Sequence, residues 1–215
     1  MKKALIVVDV QNDFLPGGSL PVAKGDEVIP VIDQLLKLPF DIKVATKDWH
    51  PSGHVSFASS HNKKIGEHIQ HHHIDQILWP DHCIQGSFGA EFAVGIDWSL
   101  IERTFYKGTD KHVDSYSALF DNEHLKSTGL LEYLKRNEIK EIFVAGLSTD
   151  YCVKYSVLDA LKANFKTHII VDACRAVNLA DSDEALALND MKRAGAILNY
   201  SKQIHQSLID NLKNI

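Results

Sequence analysis

The residue best placed for chemistry is a cysteine at the start of a predicted helix. Cys152 follows the apolar segment Glu141–Ala145. Between them lie three residues that favour helix N-termini: Ser148, Thr149 and Asp150. The positive end of a helix and its free backbone N–H groups stabilise a thiolate and a developing oxyanion. Cys152 is therefore a candidate nucleophile, with a packed structural cysteine as the alternative.

Two charged residues that follow other apolar segments are candidate partners of this thiol. Asp9 follows Ala4–Val8, where a buried carboxylate is costly unless it is paired or used. As a general base it can take the thiol proton and later protonate a leaving amine. Lys107 follows Ile101–Phe105 and can hold Asp9 ionised and lower the pKa of the thiol. Helix capping by Asp9 and simple solvation of Lys107 are the alternatives.

The sequence also contains a set of potential metal ligands. Asp48 and His50 are two residues apart, so an extended segment places both side chains on one face, and His82 completes the set from a later loop. Two imidazoles and one carboxylate leave coordination positions open for water or substrate. One divalent ion is expected; Zn²⁺ is favoured, and Fe²⁺ or Mn²⁺ also fits. His54 and His68 are rival or additional ligands, and solvated loop residues are the alternative.

The elements that must position these residues alternate along the chain. Continuous apolar segments, typical of strands buried on both faces, lie at Ala4–Val8, Ile42–Thr46, Ile101–Phe105, Glu141–Ala145, Thr167–Val171 and Ala196–Leu198. Helices are predicted at Asp26–Leu38, Thr128–Asn137, Thr149–Asn164, Ser182–Arg193 and Lys202–Leu212. This pattern indicates an α/β fold, a three-layer α/β/α sandwich around a mostly parallel six-stranded sheet. Ligands bind beyond the carboxyl ends of such strands, so the candidate residues should converge at one edge.

Length and composition bound the class of protein. The 215 residues fit one domain, 1–215, with a loop insert at about 48–95 that includes the His-rich stretch His61–His73, to which no role is assigned. A net charge of −5 without a basic stripe argues against a nucleic-acid partner. No apolar run approaches the roughly 18 residues that span a membrane. Three cysteines argue against a disulfide framework and favour the cytoplasm. Assembly into a homo-oligomer is left open.

Five motifs, taken together and in order, resemble those of the nicotinamidases and pyrazinamidases, which belong to the isochorismatase-like cysteine hydrolase superfamily. The motifs are Val-Asp-Val-Gln-Asn-Asp-Phe at 8–14, Thr-Lys-Asp-Trp-His-Pro at 46–51, Trp-Pro-Asp-His-Cys at 79–83, Phe-Tyr-Lys-Gly at 105–108 and Gly-Leu-Ser-Thr-Asp-Tyr-Cys-Val at 146–153. The resemblance extends to the order of strands and helices and so implies the isochorismatase-like, Rossmann-like fold.

The resemblance also implies roles for individual residues. It implies a catalytic triad of Asp9, Lys107 and Cys152. The metal ligands that it implies are Asp48, His50 and His82. It further implies an oxyanion hole from the backbone N–H groups of Ser148 and Cys152, after a cis peptide bond between Leu147 and Ser148. The substrate-pocket residues that it implies are Phe14, Trp79, Tyr116 and Leu147. Two departures are Lys47, where arginine is common, and Tyr151, where some members carry histidine.

The activity that the resemblance implies is hydrolysis of nicotinamide to nicotinate and ammonia through a Cys152 thioester, in NAD salvage, with pyrazinamide as a second substrate. A small molecule is thus the expected partner. Another small-amide or carbamoyl hydrolase of the superfamily is the nearest alternative. Vinyl-ether hydrolysis of isochorismate needs neither this cysteine nor this metal set. A non-catalytic binding module on the same fold would be expected to lack triad residues.

Overall fold

The computed structural model describes residues 1–213. Its strands are β1 (Lys3–Val8), β2 (Ile42–Asp48), β3 (His68–His71), β4 (Ile74–Ile77), β5 (Arg103–Lys107), β6 (Glu141–Leu147), β7 (Lys166–Arg175) and β8 (Ile197–Asn199). Its α-helices are α1 (Val28–Leu36), α2 (Leu130–Arg136), α3 (Lys154–Lys162), α4 (Asp183–Arg193) and α5 (Ser201–Lys213).

Six of these strands form one parallel sheet in the order β5-β2-β1-β6-β7-β8. Successive residues of β1 point to opposite faces: Ala4 and Ile6 enter one apolar cluster, and Leu5 and Val7 enter the other. This explains why the strands read as continuous apolar runs, because both faces of a parallel sheet are covered.

The helices form the two outer layers. Apolar residues of α2, α3 and α4 pack in the first cluster, and those of α1 and α5 pack in the second. In α1, the buried residues Val28, Ile32, Leu35 and Leu36 follow the spacing of one helical face. Each such buried side chain contributes about 1.5–3 kcal/mol to folding. The predicted three-layer α/β/α sandwich is confirmed. Within residues 1–213, no helix is long and apolar enough to cross a membrane.

Several predicted boundaries differ from the structure by two or more residues. The third strand of the large sheet is Arg103–Lys107, two residues later than predicted, because Trp98–Leu100 forms a 3₁₀ turn and Ile101 packs against the core instead. A similar turn precedes α1. The helix predicted from Thr149 begins there as one π-helical turn, Thr149–Val153, and continues as α3. π-Helical turns inside helices are frequent at functional sites.

The predicted loop insert contains an element that was missed. Strands β3 and β4 form an antiparallel hairpin within the His-rich stretch, with His68 opposite Ile77 and His71 opposite Ile74. The two turn residues, His72 and His73, both have positive φ, 47° and 71°. Such turns favour Asn-Gly or Asp-Gly, so a His-His turn gives no hairpin signal in the sequence. We call residues 68–77 the His hairpin.

Candidate active site

The predicted site residues converge at the carboxyl edge of the sheet. Asp9 lies directly after β1, Asp48 and Lys107 are the last residues of β2 and β5, and Cys152 lies in the turn after β6. Strand pairing places Asp48 opposite Lys107. Each of these four side chains is at least 93% buried. The topology therefore gathers residues from four segments into one buried polar cluster.

Lys107 is the centre of this cluster. Its Nζ lies 2.9 Å from Asp9 Oδ2 and 2.9 Å from Asp48 Oδ1, and it donates to the carbonyl of Ser115 at 2.9 Å. The same Nζ is 3.4 Å from Cys152 Sγ. Although burial opposes it, the two carboxylates raise the pKa of Lys107 well above its usual range. A fixed cation thus lies between the thiol and two carboxylates.

Asp9 lies beside the thiol and is suited to exchange protons. The Thr46 hydroxyl donates to Asp9 Oδ1 at 2.6 Å, and the backbone of Asp9 is held with φ of +49°. Burial raises the pKa of Asp9, an effect that Lys107 opposes. A carboxyl group with a raised pKa can accept a proton and return it within one reaction cycle.

The thiol of Cys152 departs from one expectation. Burial raises the pKa of Cys152 well above its usual range, and Lys107 only opposes this rise. Lys107 lowers the thiol pKa as expected, but burial of the sulfur and the two nearby carboxylates outweigh it, so the net direction is upward rather than downward. With a raised pKa, Cys152 needs a neighbouring base to take its proton before it can act as a nucleophile.

The predicted metal ligands come together as expected for an extended Asp-x-His segment. His50 Nε2 lies 3.1 Å from Asp48 Oδ2, and His82 Nε2 lies 3.4 Å from the same oxygen. His50 Nδ1 lies 2.9 Å from the carbonyl of Gly108, and His82 Nδ1 lies 2.7 Å from the carbonyl of Pro80. Because carbonyls only accept, these bonds place a proton on each Nδ1, so in the neutral ring Nε2 is the atom that offers a lone pair toward the carboxylate.

This arrangement fits a divalent ion. His50 Nε2 is buried without a hydrogen-bond donor, and it faces a carboxylate oxygen. Two imidazole lone pairs and a carboxylate oxygen lie stably together when a cation lies between them. Gly108 has φ of +61°, and any Cβ there would collide with the His50 ring, so a glycine is required beside this ligand. The ligand set therefore indicates a divalent metal.

The two rival ligands lie in different places. His54 stacks on His50 with ring centroids 4.0 Å apart, and together with Asp114 it forms a second group of donors around His50. Burial lowers the pKa of His54 to about 4, so its ring is neutral at physiological pH. His68, in contrast, is exposed on the His hairpin and pairs with Asp75 at 2.8 Å. His68 is therefore not part of this site.

A small cavity opens onto Cys152, Asp48 and His82. Three of the four predicted pocket residues line it: Phe14, Trp79 and Tyr116. Leu147 does not line it. Side chains alternate along the strand, and that of Leu147 points into the apolar core, where it is 1% exposed. The lining residues that were not predicted as part of the site are Leu20, Asp114, Tyr151 and Val177. Tyr151 meets Trp79 edge to face at 4.9 Å, so the walls are largely aromatic.

The backbone before Cys152 has the conformation that was expected. The peptide bond between Leu147 and Ser148 is cis, and Ser148 lines the cavity. Gly146 precedes it with φ of +121°, and a Cβ at that position would overlap the Val8 carbonyl. Glycine thus permits β6 to approach β1 closely just before the turn that carries the thiol.

Gln11 positions the site but was not predicted to do so. Its amide oxygen accepts from the Asp48 N–H at 2.8 Å, and its Nε2 donates to the Asp48 carbonyl at 2.8 Å and to Ala90 at 2.9 Å. This pair of bonds fixes the end of β2 and hence the Asp48 carboxylate. The only sequence signal was its place within the motif at 8–14.

Comparison with known proteins agrees with this geometry. Residues 3–203 match the Isochorismatase domain family. The nicotinamidase of Escherichia coli K12 is 43% identical over 199 residues, which cover 91% of this chain and 93% of that protein. A solved nicotinamidase/pyrazinamidase of Acinetobacter baumanii is 42% identical, with a TM-score of 0.91, covering 94% of this chain and 98% of that one.

A third relative bears on the metal. The pyrazinamidase of Pyrococcus horikoshii, solved in complex with zinc, is 34% identical with a TM-score of 0.75, covering 93% of this chain and 99% of that one. Sequence and fold therefore agree, and the chain belongs to the isochorismatase domain family.

Proposed function

We propose that this protein hydrolyses nicotinamide to nicotinate and ammonia, and accepts pyrazinamide as a second substrate. The observation that carries the proposal is the contact of one buried lysine with Asp9, Asp48 and Cys152 at the floor of an aromatic-walled cavity. The names of the similar proteins support the choice of amide. Salvage of the pyridine ring for NAD synthesis, in the cytoplasm, is the expected setting.

The first half of the reaction forms a thioester. The Asp9 carboxylate takes the thiol proton while Cys152 Sγ attacks the carboxamide carbon, and the carbonyl π electrons move to oxygen. Backbone N–H groups of Ser148 and Cys152 donate to that oxygen. Asp9 then returns the proton to the nitrogen, the C–N bond breaks, and ammonia leaves. Lys107 remains charged and keeps Asp9 beside the sulfur.

The second half returns the enzyme to its starting state. Asp9 takes a proton from water as the water oxygen attacks the thioester carbon. The C–S bond then breaks and the proton on Asp9 returns to the sulfur; the nicotinic acid that forms loses its remaining proton to solvent and leaves as nicotinate. Rings of Phe14 and Trp79 hold the pyridine by stacking, which orients the amide toward Cys152.

The metal ligands contribute to binding. Asp48, His50 and His82 would hold a divalent ion, with Zn²⁺ favoured and Fe²⁺ or Mn²⁺ also compatible with these donors. When bound, such an ion supplies Lewis acidity toward a ring nitrogen or water. Aromatic amides with a ring nitrogen should therefore be preferred over ring-free or carbamoyl amides.

Replacement of the nucleophile tests the proposal. We expect Cys152→Ala to release no measurable ammonia from nicotinamide and to keep the native circular-dichroism spectrum, because only the sulfur is removed. The matched control is Cys174→Ala: Cys174 is also buried, burial raises its pKa to about 12, and it lies outside the cavity. That variant should retain turnover within about twofold, since nothing in the cavity changes.

The same assay distinguishes the alternatives. Ammonia release is measured for nicotinamide, pyrazinamide, benzamide and an N-carbamoyl amino acid with the unmodified, metal-loaded protein. If kcat/KM is higher for the carbamoyl compound than for nicotinamide, the protein is a carbamoyl hydrolase, the nearest alternative, and not a nicotinamidase. Full ammonia release by Cys152→Ala would refute the assignment of the nucleophile.

A further inference from the structure

The His hairpin sends one side chain into the wall of the cavity. Gln76, on β4, is only 4% exposed although its hairpin lies at the surface. Its Nε2 donates to the Asp114 carboxylate at 3.0 Å and to the carbonyl of Ile77 at 2.7 Å, and it lies 3.5 Å from the Tyr116 hydroxyl. One amide hydrogen thus bonds to Ile77 on the hairpin, and the other bonds to Asp114 on the cavity wall.

The Tyr116 hydroxyl is the meeting point of this wall. It accepts from the Trp79 indole N–H at 3.1 Å, and the Gln76 amide nitrogen also points toward it. Burial and the Asp114 charge raise the pKa of Tyr116 well above its usual range, so the phenol keeps its proton. Because the Trp79 N–H occupies one lone pair of this oxygen, the hydroxyl hydrogen is directed away from Trp79 and is available to another acceptor at the cavity wall.

The tip of the hairpin is attached to the segment that carries Asp114 and Tyr116. His71 Nε2 lies 2.8 Å from the carbonyl of His112, and His72 Nδ1 lies 3.0 Å from Glu123 Oε1. The hairpin therefore contacts this segment at both ends of its length: at its tip through two histidines and near its base through Gln76.

We propose that Gln76 is a positioning residue that fixes Asp114 and the Tyr116–Trp79 pair for binding of an aromatic amide. In this proposal the His hairpin is a brace for the cavity wall that faces the substrate ring. Gln76 does not touch the Lys107 cluster in any contact described above, so it affects binding rather than bond breaking. The substrate in this statement rests on the proposed function; the arrangement of the wall does not.

Gln76→Met tests the brace by removing both amide donors while keeping the side-chain length. We expect KM for nicotinamide to rise about tenfold, with kcat within about threefold, because the reacting groups remain in place. The matched control is Gln70→Met on β3 of the same hairpin. Gln70 is exposed and donates only to Asp75, so its KM should not change.

A spectroscopic measurement decides the proposal independently of turnover. The chain has three tryptophans, so an ¹⁵N spectrum shows three indole signals, and Trp79→Phe identifies that of Trp79. Gln76→Met should shift the Trp79 indole signal, and Gln70→Met should leave it in place. If the Met variant fails to fold, Gln76→Asn, which withdraws the amide by one methylene, takes its place and should shift the same signal.

The outcomes separate cleanly. A raised KM together with a shifted Trp79 signal supports the brace. An unmoved Trp79 signal overturns it, and so does a loss of kcat at constant KM. If the unmodified protein releases no ammonia from nicotinamide, the proposed function fails, and the Trp79 signal alone still decides whether Gln76 orders the wall.

Discussion

Buried charges lie at both ends of the sheet, and the two groups differ in how fully they are paired. At the carboxyl end, the cluster around Lys107 adjoins His50 and His54, each of which has a buried Nε2 without a hydrogen-bond partner. At the start of the central strands, Glu141 accepts from Lys166 at 2.7 Å and lies 2.8 Å from His168 Nε2.

The second ring nitrogen of His168, in the Glu141 group, is also paired. His168 Nδ1 lies 2.6 Å from Asn199 Oδ1, and the ring stacks on Phe143 at 4.3 Å. A buried polar atom left unpaired costs about 1–3 kcal/mol. The fold tolerates that cost only at the end where the cavity opens, among the residues described. The difference indicates that the Glu141 group serves stability, whereas the incomplete pairing around the Lys107 group fits the proposed chemistry.

The largest expected effect that separates the two ends is on catalysis. Asp9→Asn should lower kcat/KM for nicotinamide by about 10³–10⁴-fold, because the amide cannot take the thiol proton. Its thermal midpoint should stay the same or rise, since a fully buried carboxylate is removed and Lys107 keeps Asp48 as its counter-ion. Steady-state ammonia release and thermal unfolding measure both quantities.

A matched control uses a carboxylate away from the cavity. Asp41 is exposed and accepts from the Lys3 N–H at 2.7 Å, so Asp41→Asn should keep full activity. The opposite result would be that Asp9→Asn unfolds most of the protein while the folded fraction keeps normal turnover. Asp9 would then stabilise the fold, as the Glu141 group does, and the two ends of the sheet would not differ.

A smaller effect is expected from loss of a metal ligand. His82→Ala should lower the metal content below one ion per chain and reduce kcat/KM by at least about 100-fold, because the ion would keep two protein ligands instead of three. Elemental analysis and ammonia release check the two parts. His68→Ala, at the exposed histidine outside the site, should change neither. Full metal occupancy in His82→Ala would mean that His54 or Asp114 supplies the third donor.

The sequence predicts the site better than it predicts the pocket walls. The convergence of Asp9, Asp48 and Lys107 follows from one physical rule, because parallel strands deliver their carboxyl ends to a single edge. Leu147 was misplaced although period-two alternation signals its true direction: Phe143 and Ala145 precede it on the same buried face. The resemblance alone had placed it in the pocket.

Other features depend on contacts that no local pattern encodes. Gln76 reaches Asp114 across 38 residues, and the hairpin that carries it turns on His72 and His73, which are unusual turn residues. The pKa of Cys152 depends on how deeply the sulfur is buried, so a helix start by itself predicted the wrong direction. The contact of Gln76 and the pKa of Cys152 are thus both determined by tertiary structure and burial rather than by residue type.

The smallest expected effect is at the fully paired end. Glu141→Gln should lower the free energy of unfolding by about 1–3 kcal/mol and leave kcat/KM within twofold, because a charged acceptor for Lys166 and His168 is lost far from the cavity. Although burial opposes it, hydrogen bonds from Lys166 and His168 lower the pKa of Glu141. A lowered pKa means that the carboxylate stabilises the fold above the unfolded-state value of about 4.3 and that this contribution is lost as pH falls through the folded value.

Urea denaturation at pH 7 and below pH 4 measures the pH dependence. The stability gap between wild type and Glu141→Gln should be widest at pH 7 and should narrow in acid, because wild-type Glu141 itself becomes protonated there. Glu138→Gln is the control: Glu138 is an exposed partner of Lys2, so its loss should cost less than about 1 kcal/mol at either pH. If the stability difference between wild type and Glu141→Gln does not change with pH, Glu141 stabilises the sheet by packing and not by its charge. If Glu141→Gln loses turnover, the two ends of the sheet are not independent.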